Sequence, residues 1–315
     1  MRSRRCRQIE AQTVVLDKTM DQNKTSYPSA FDQVAASYDS NFTTTLLGQM
    51  LRKRVWDSFE EQFQDGFNVL DLACGTGEDA LWLAQQGIHV TALDGSSEMV
   101  QLATDKANQH QHSGDIVVRQ FSLEEMMDKP RTVLDRMTAQ RSQSQLSGSP
   151  NGDSLRLVLF DGASSNFGGL NVIDSWSELA NALATVMRPG GKVVLVPMGP
   201  FCPWEILWNL LHAKPRRAFR RFSRKTYAAV GNSDIPIWYP SPGQLKKDFQ
   251  PWFKPLSTAS LGFLLPPTNL SHLVERWPRF FSFLQKLERM IGGISFGWGD
   301  HFILIMERNE KSSES

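Results

Sequence analysis

Cysteine is scarce: Cys6, Cys74 and Cys202 are the only three in 315 residues, and no two share a metal-ligand spacing. That excludes a disulfide scaffold and a cysteine-knuckle metal site, and it suits a reducing, cytoplasmic compartment. No metal is expected. An excess of one charge is also missing. A net charge of +1 gives no overall field toward nucleic acid or membrane. Apolar runs nowhere reach the ~20 residues of a membrane span, and Val14-Val15-Leu16 is too short for a signal-peptide core. Aromatic residues, by contrast, are plentiful, with 9 Trp and 19 Phe, most of them after Pro200. A chain of this length can bury a full core, and one elaborated domain is expected rather than two.

The stretch from Phe67 to Ala84 organises the rest. Val69, Leu70 and Leu72 form an apolar run of strand length, and Ala80, Leu81, Leu83 and Ala84 recur at helical spacing. Between them, Gly75 and Gly77 lack Cβ, so the turn can reach positive φ and a ligand can approach bare backbone. Strand, glycine turn and helix start together present free N–H groups to a nucleotide-like ligand. The spacing Gly75-x-Gly77-x-x-Ala80 also fits a dinucleotide fingerprint. Asp71, four residues before Gly75, separates the two readings. A carboxylate at that strand end repels a pyrophosphate and suits a ligand carrying an ammonium group.

The pattern Asp71-x-Ala73-x-Gly75-x-Gly77 resembles the first motif of class I S-adenosylmethionine (SAM)-dependent methyltransferases, with Ala73 in place of the usual first glycine. Ala30 to Asp39 resembles the N-terminal helix of the ubiquinone-biosynthesis type, which folds over the cofactor with its tyrosine, here Tyr38, near the methionine end. Tyr38 reads equally well as part of an apolar helix face with Phe31 and Val34. The resemblance implies SAM held by Asp71, Ala73, Cys74, Gly75 and Gly77 at the first motif. It adds Asp94, Gly95 and Met99 at the ribose, and Phe121, Ser122 and Leu123 at the adenine edge, where Ser122 replaces a frequent Asp. Asp161, after the fourth strand, completes the implied set. Asp94 lies seventeen residues past Gly77, close to the ~20 expected of an acid gripping a ribose diol.

Residues 1–26 read as a disordered tail with clustered arginines, and Met20 is an alternative start. Residues 27–309 read as one methyltransferase domain, followed by a 310–315 tail. Leu46, Leu47, Leu51, Val55 and Phe59 predict a helix within Thr43–Phe63. Ile88–Asp94 and Ile116–Leu123 read as the second and third strands, with Ser96 capping the helix between them. Polar, Gly- and Pro-containing residues 128–154 read as a flexible, dispensable surface insertion. A fourth strand is expected to end at Asp161-Gly162, and Lys192–Pro197 reads as the fifth. Ser175-x-x-Glu178 reads as a capping box, and Ser241-Pro-Gly-Gln244 as another helix start. Leu256–Leu265 and His301–Met306 complete the set as a terminal hairpin. The expected fold is therefore α/β: a Rossmann-like, seven-stranded, mostly parallel sheet with an antiparallel C-terminal strand and helical lid insertions at 199–239 and 266–299.

The reading is methyl transfer from SAM to O or N of a small, largely apolar or aromatic metabolite. The substrate is expected against Tyr38, Asn166, Phe167, Trp204, Trp208 and Tyr239. An acceptor that must lose a proton needs a base, and the candidates are His212, Tyr239, His272 and His301. The basic run from Lys214 to Lys225 admits three readings: a solvated helix face, an attraction for an anionic substrate, or a weak contact with a membrane surface. Its charge is local and no recognition motif accompanies it, so a nucleic-acid partner is not expected. Nothing specifies an oligomeric state. An NAD-dependent oxidoreductase and a non-catalytic SAM-binding scaffold are the rival readings.

Overall fold

A computed structural model of the chain describes residues 27–135, 159–291 and 297–310. Residues 1–26, 311–315 and most of the 128–154 segment lie outside the described residues. Two short helices, α1 (Tyr27–Asp32) and α2 (Ala35–Tyr38), lead into the long α3 (Leu46–Gln62). Thr45 starts α3: its hydroxyl accepts the Gly48 N–H at 3.0 Å, satisfying one of the orphan donors of the first turn. Leu47, Leu51, Val55 and Phe59 are all buried, so α3 lies flat on the sheet along one apolar stripe.

Strand–helix alternation follows: β1 (Asn68–Leu72), α4 (Glu78–Gln85), β2 (His89–Asp94), α5 (Ser97–Gln109) and β3 (Ile116–Gln120). Val69 and Leu70 point to opposite faces of β1 and both are fully buried, which requires helices on both sides of the sheet. Beyond β3, α6 (Leu123–Asp128) opens with a complete capping box between Ser122 and Glu125. Residues 130–135 form a further helical turn, α7. Val133 and Leu134 there are only 4 % and 2 % exposed and belong to the same apolar cluster as Trp176 and Leu183. A dispensable insertion therefore cannot begin at residue 128, because this first part is core.

The fourth strand is also displaced from its expected place. β4 runs Phe160–Ser165, in register with β1 through Val69↔Gly162 and Asp71↔Ser164. Ala163-Ser-Ser165, beyond the expected strand end at Asp161-Gly162, reads as the start of a loop, yet all of it is buried within the sheet. Small residues are needed here. A Cβ on Gly162 would come within 2.3 Å of Cε1 of Phe63, which packs across this strand. α8 (Trp176–Val186) then leads directly into β5 (Met187–Leu195). The expected capping box at Ser175 is not formed. Its hydroxyl turns to Asp174, and its backbone (φ −103°, ψ 54°) does not aim the side chain at the helix N–H groups.

After β5 the first insertion supplies α9 (Pro203–Leu211) and α10 (Pro215–Ala218). It ends in a two-stranded hairpin, β6 (Lys225–Val230) and β7 (Ser233–Trp238), rather than in further helix. α11 (Pro242–Phe249) starts at Ser241, whose hydroxyl accepts the Gln244 N–H at 3.1 Å. β8 (Phe253–Leu261) stops at Gly262, where φ is +72°. The second insertion carries α12 (Ser271–Arg276) and α13 (Pro278–Ile291), and β9 (His301–Arg308) closes the chain's described part. Among the described residues no helix is long and apolar enough to cross a membrane.

The sheet order is β3-β2-β1-β4-β5-β9-β8. Strands β1 to β5 are parallel, and β9 is antiparallel to both its neighbours, β5 and β8. Chain order reverses between β1 and β4, so the crevice of this fold opens at their carboxyl ends. If 130–135 is core, Leu134→Ala should lower the unfolding free energy by about 2–4 kcal/mol, as for other buried leucines. Denaturant titration reads this directly, and a loss below about 0.5 kcal/mol would place the turn outside the core.

Candidate active site

The carboxyl ends of β1 and β4 hold a cleft lined by Tyr38, Arg52, Asp71, Ala73, Cys74, Gly75, Asp79, Asn166 and Phe167. The space these residues enclose is small, enough for one end of a nucleotide-sized ligand. The glycine turn forms the floor. Gly75 (φ 56°) has no atom within 4 Å of where a Cβ would sit, so that direction is open for a ligand. Gly77 (φ 76°) is different: a Cβ there would meet the Ala103 Cβ at 2.8 Å, so this glycine is required by packing against α5. Ala73 holds φ at 52°, a left-handed conformation that costs a non-glycine residue roughly 1–2 kcal/mol.

Three carboxylates and one guanidinium set the electrostatics. Asp71 is buried; its Oδ1 accepts from the Ser164 hydroxyl at 2.9 Å, while its Oδ2 has no partner. Burial, and then the nearby Asp79 charge, push its carboxyl up to about 8. Asp79, at the start of α4, is bound from three sides: Arg52 Nη1 at 2.6 Å, Trp56 Nε1 at 2.8 Å and Asn166 Nδ2 at 3.0 Å. Arg52 is buried on α3 with its guanidinium 5.4 Å and 5.0 Å from the ring centres of Phe42 and Phe167. Burial opposes its charge, but Asp79, together with smaller contributions from the other groups around it, outweighs burial and keeps it protonated. Arg52 Nε and Asn166 Oδ1 are, like Asp71 Oδ2, buried without a partner. Such atoms are costly unless something completes them.

Asp94 ends β2 beside this cleft. Its Oδ2 accepts the Gly75 N–H and its Oδ1 the Ser96 N–H, each at 2.9 Å. Burial raises its carboxyl despite those two donors, and the outward lone pairs remain for a diol. The N-terminal segment is latched down beside it. Asp32 accepts from the Ser96 hydroxyl (2.5 Å) and the Glu98 N–H (3.1 Å) at the start of α5. Asp39 accepts from Thr76 (2.6 Å) and Lys106 (3.0 Å) behind the glycine turn. Tyr38 thereby walls the cleft with Phe167, and the buried Phe42 packs behind them, its ring centre 5.0 Å from that of Phe167.

Of the residues expected at the cofactor, Tyr38, Asp71, Ala73, Cys74 and Gly75 line the cleft. Met99, Phe121 and Leu123 are buried, and Ser122 uses its hydroxyl in the α6 cap. Gly95 accepts from the Gln120 side chain through its carbonyl. Asp161 is a correction. It sits at the amino end of β4, where its Oδ2 accepts the Asn68 N–H at 2.6 Å and its Oδ1 pairs with Arg188 at 2.8 Å. The strand begins at Phe160 instead of ending at Asp161, which puts this acid at the edge of the sheet opposite the cleft. Ser164, Ser165 and Asn166 occupy the carboxyl end in its stead.

Asn166 and Phe167 line the cleft, but the insertion aromatics expected at the substrate do not. Trp204 packs on Phe281, Trp208 lies 4.4 Å from the His212 ring, and Tyr239 is buried under the Arg221 guanidinium. His212 and His272 are exposed on the outer surface. His301 is buried at the start of β9, edge-on to Phe167 with ring centres 5.5 Å apart and its Nδ1 3.2 Å from Asp300 Oδ2. Arg52 and Asp79 escaped the sequence reading. A charged residue within each apolar helix pattern was the available signal, since an amphipathic helix places such residues outside unless they are paired.

A family model described as a methyltransferase domain matches residues 46–232, more than half of the chain. A demethylmenaquinone methyltransferase of Leptospira interrogans is 26 % identical over 188 residues, covering 56 % of this chain. The match spans only 62 % of that relative's own length. A ubiquinone/menaquinone biosynthesis C-methyltransferase of Geobacter sp. is 28 % identical over 222 residues, 65 % of this chain and 80 % of that protein. Among solved structures, an S-adenosylmethionine-dependent methyltransferase of Listeria monocytogenes superposes with a TM-score of 0.51 at 14 % identity, over 81 % of this chain and 96 % of the other. A [4+2]-cyclase gives the same TM-score at 15 % identity, over 90 % and 96 %. At these identities the structures speak to fold alone. The chain belongs to the methyltransferase-domain family and has the class I, Rossmann-like fold, with S-adenosylmethionine as its cofactor.

The residues present fit that cofactor. The orphaned Asp71 Oδ2 and Arg52 Nε offer an acceptor and a donor for an ammonium and a carboxylate, Gly75 leaves room beside bare backbone, and Asp94 is left for the ribose. The raised Asp71 carboxyl has a consequence for stability. Its folded value lies above the ordinary carboxylate value of 3.8, so the ionised form is disfavoured by folding; stability from this site declines as pH rises from about 4 to about 8. Asp71→Asn should therefore raise the melting temperature of the ligand-free protein at pH 8 and lessen its decline over that interval, Asp94 and Glu288 retaining their share because burial raises their carboxyls too. In the wild type, affinity for S-adenosylhomocysteine should rise across pH 6 to 8 with proton release, and calorimetry should find that dependence flattened in the variant.

Proposed function

We propose that the chain transfers the methyl group of S-adenosylmethionine to oxygen or nitrogen of a small, largely apolar or aromatic metabolite. The observation that carries this reading is the juxtaposition of three unpartnered buried polar atoms, on Arg52, Asp71 and Asn166, with an aromatic wall of Tyr38 and Phe167. The polar atoms suit the zwitterionic end of the cofactor, and the wall suits a planar or apolar acceptor. When bound, the cofactor would supply an electrophilic methyl on a sulfonium. The protein's own contribution is positioning and exclusion of water. Arg52 and Asp71 orient the charged end, and Asn166, held at Asp79, presents its free carbonyl oxygen to the cleft.

An acceptor that loses a proton needs a base, and of the four candidates only His301 lies within one ring of the cleft. Burial alone would raise the neighbouring Asp300, but the Arg221 guanidinium, and then His301, hold its carboxyl well below the usual range. That carboxylate lies 3.2 Å from Nδ1 of His301, at ion-pair distance. A second reading, transfer to a ring carbon of a quinone-like acceptor, is favoured by the names of the two relatives, both of which concern quinone methylation.

An oxidoreductase reading is weakened by Asp71, which faces the place a pyrophosphate would take. Calorimetry with S-adenosylhomocysteine and NAD separates the two: binding of the first and not the second is expected, and the reverse would overturn the proposal. Incubation with methyl-labelled SAM and cell extract, followed by mass spectrometry, identifies the acceptor atom; absence of any labelled product despite binding would favour a scaffold. Asp94→Ala should weaken S-adenosylhomocysteine binding by about 1.5–3 kcal/mol, as for lost charged hydrogen bonds. Unchanged affinity in a folded variant would remove Asp94 from the site.

A further inference from the structure

Helix α9 is turned inside out. Its one fully buried side chain is Glu205, which pairs with Arg220 and, at 2.7 Å, with Arg221. Its leucines face outward: Leu207 is 57 % exposed and Leu211 73 %, with Leu210 beside them. A helix bordered by water places these residues the other way round. Helix α13 repeats the anomaly. Phe280, Phe283, Leu287 and Met290 recur at spacings of three, four and three residues, forming one stripe, and all four are exposed. Its inward side instead carries Phe281 and Glu288, the latter accepting the Gly262 N–H at 2.7 Å and the Leu264 N–H at 2.8 Å. The two helices touch through Trp204 and Phe281.

Cations border both stripes. Between Phe201 and Tyr239 there are seven Lys or Arg against two acids, although the whole chain carries only +1. Lys214, Arg216, Arg224 and Lys225 of this run are exposed, as are Arg276, Arg279 and Lys286 around α13. Leucine and phenylalanine flanked by exposed cations describe a helix lying in a bilayer interface, with its apolar side among the acyl chains and its cations at anionic headgroups. A second copy of the chain is disfavoured as occupant, since a twofold contact would set one basic face against another.

We propose that α9 and α13, with the basic turn after α9, form a docking surface for an anionic lipid bilayer. The surface lies outside the cleft-lining residues, so it stands whatever the methyl acceptor proves to be. It also goes beyond the weak contact considered from the basic run alone, because two helices with inverted polarity take part.

The test is sedimentation of the full chain with vesicles of phosphatidylcholine containing one-third phosphatidylglycerol, against pure phosphatidylcholine. Binding is expected on the anionic vesicles, weakened by salt. The quadruple variant Leu207→Gln, Leu211→Gln, Phe283→Gln, Met290→Gln should lose roughly tenfold or more in lipid affinity. These positions are exposed and outside the cleft, so the variant should keep the wild-type melting temperature and S-adenosylhomocysteine affinity. If it does not fold, Leu211→Gln and Met290→Gln singly provide the same comparison with a smaller loss. No binding to anionic vesicles, binding that the substitutions leave intact, or a dimer in sedimentation velocity that the same substitutions dissociate would each overturn the proposal.

Discussion

A charge imbalance at the ends of β1 and β2 governs this molecule. Asp71, Asp79 and Asp94 converge there, and the only cation lining the cleft among the described residues is Arg52, itself already bound to Asp79 at 2.6 Å. Burying a carboxylate without a counter-charge is expensive, and the site meets the cost by raising the Asp71 carboxyl instead of neutralising it with a second arginine. The missing positive charge is one that an ammonium-bearing ligand brings. Much of the surrounding architecture serves this arrangement: Trp56 and Asn166 hold Asp79, Ser164 holds Asp71, and Phe42 and Phe167 enclose the guanidinium.

The outer part of the chain depends on a second buried charge group, made by Arg221. It binds Glu205 of α9 at 2.7 Å and Asp300 at 2.5 Å, and lies over the ring of Tyr239. Breaking such a group by removing one partner strands the other, which is why it fixes the first insertion so firmly to the start of β9. The same contact turns the polar side of α9 inward and its leucines outward. Asp300, held ionised by Arg221, sits next to His301, so the anchor of the insertion and the one histidine near the cleft share a carboxylate.

Most of the sheet was legible because its strands alternate with helices and carry apolar runs that periodicity detects. β4 was not: Asp161-Gly-Ala-Ser-Ser165 has the composition of a turn, and only the close approach of Phe63 to Gly162 explains why small residues belong in a central strand. That shift moved Asp161 to the wrong end of the sheet and hid Ser164, the partner of Asp71. The polar look of residues 128–154 likewise concealed Val133 and Leu134, whose burial is decided by the neighbouring α8.

The sequence by itself determined the cofactor turn. Positive φ at Gly75 and Gly77, an acid four residues before the first of them and another at the end of β2 are local requirements, and local chemistry is written in local residues. Only the tertiary structure decided which charges are paired. Arg52 and Asp79 stand 27 positions apart on helices whose own patterns predict exposure, and Glu205 and Arg221 stand 16 apart on an apolar helix and a basic turn. Whether such a side chain is buried depends on a partner that packing brings from elsewhere. For the same reason the outward leucines of α9 could not be foreseen, since nothing in that helix alone says which of its sides the rest of the protein would claim.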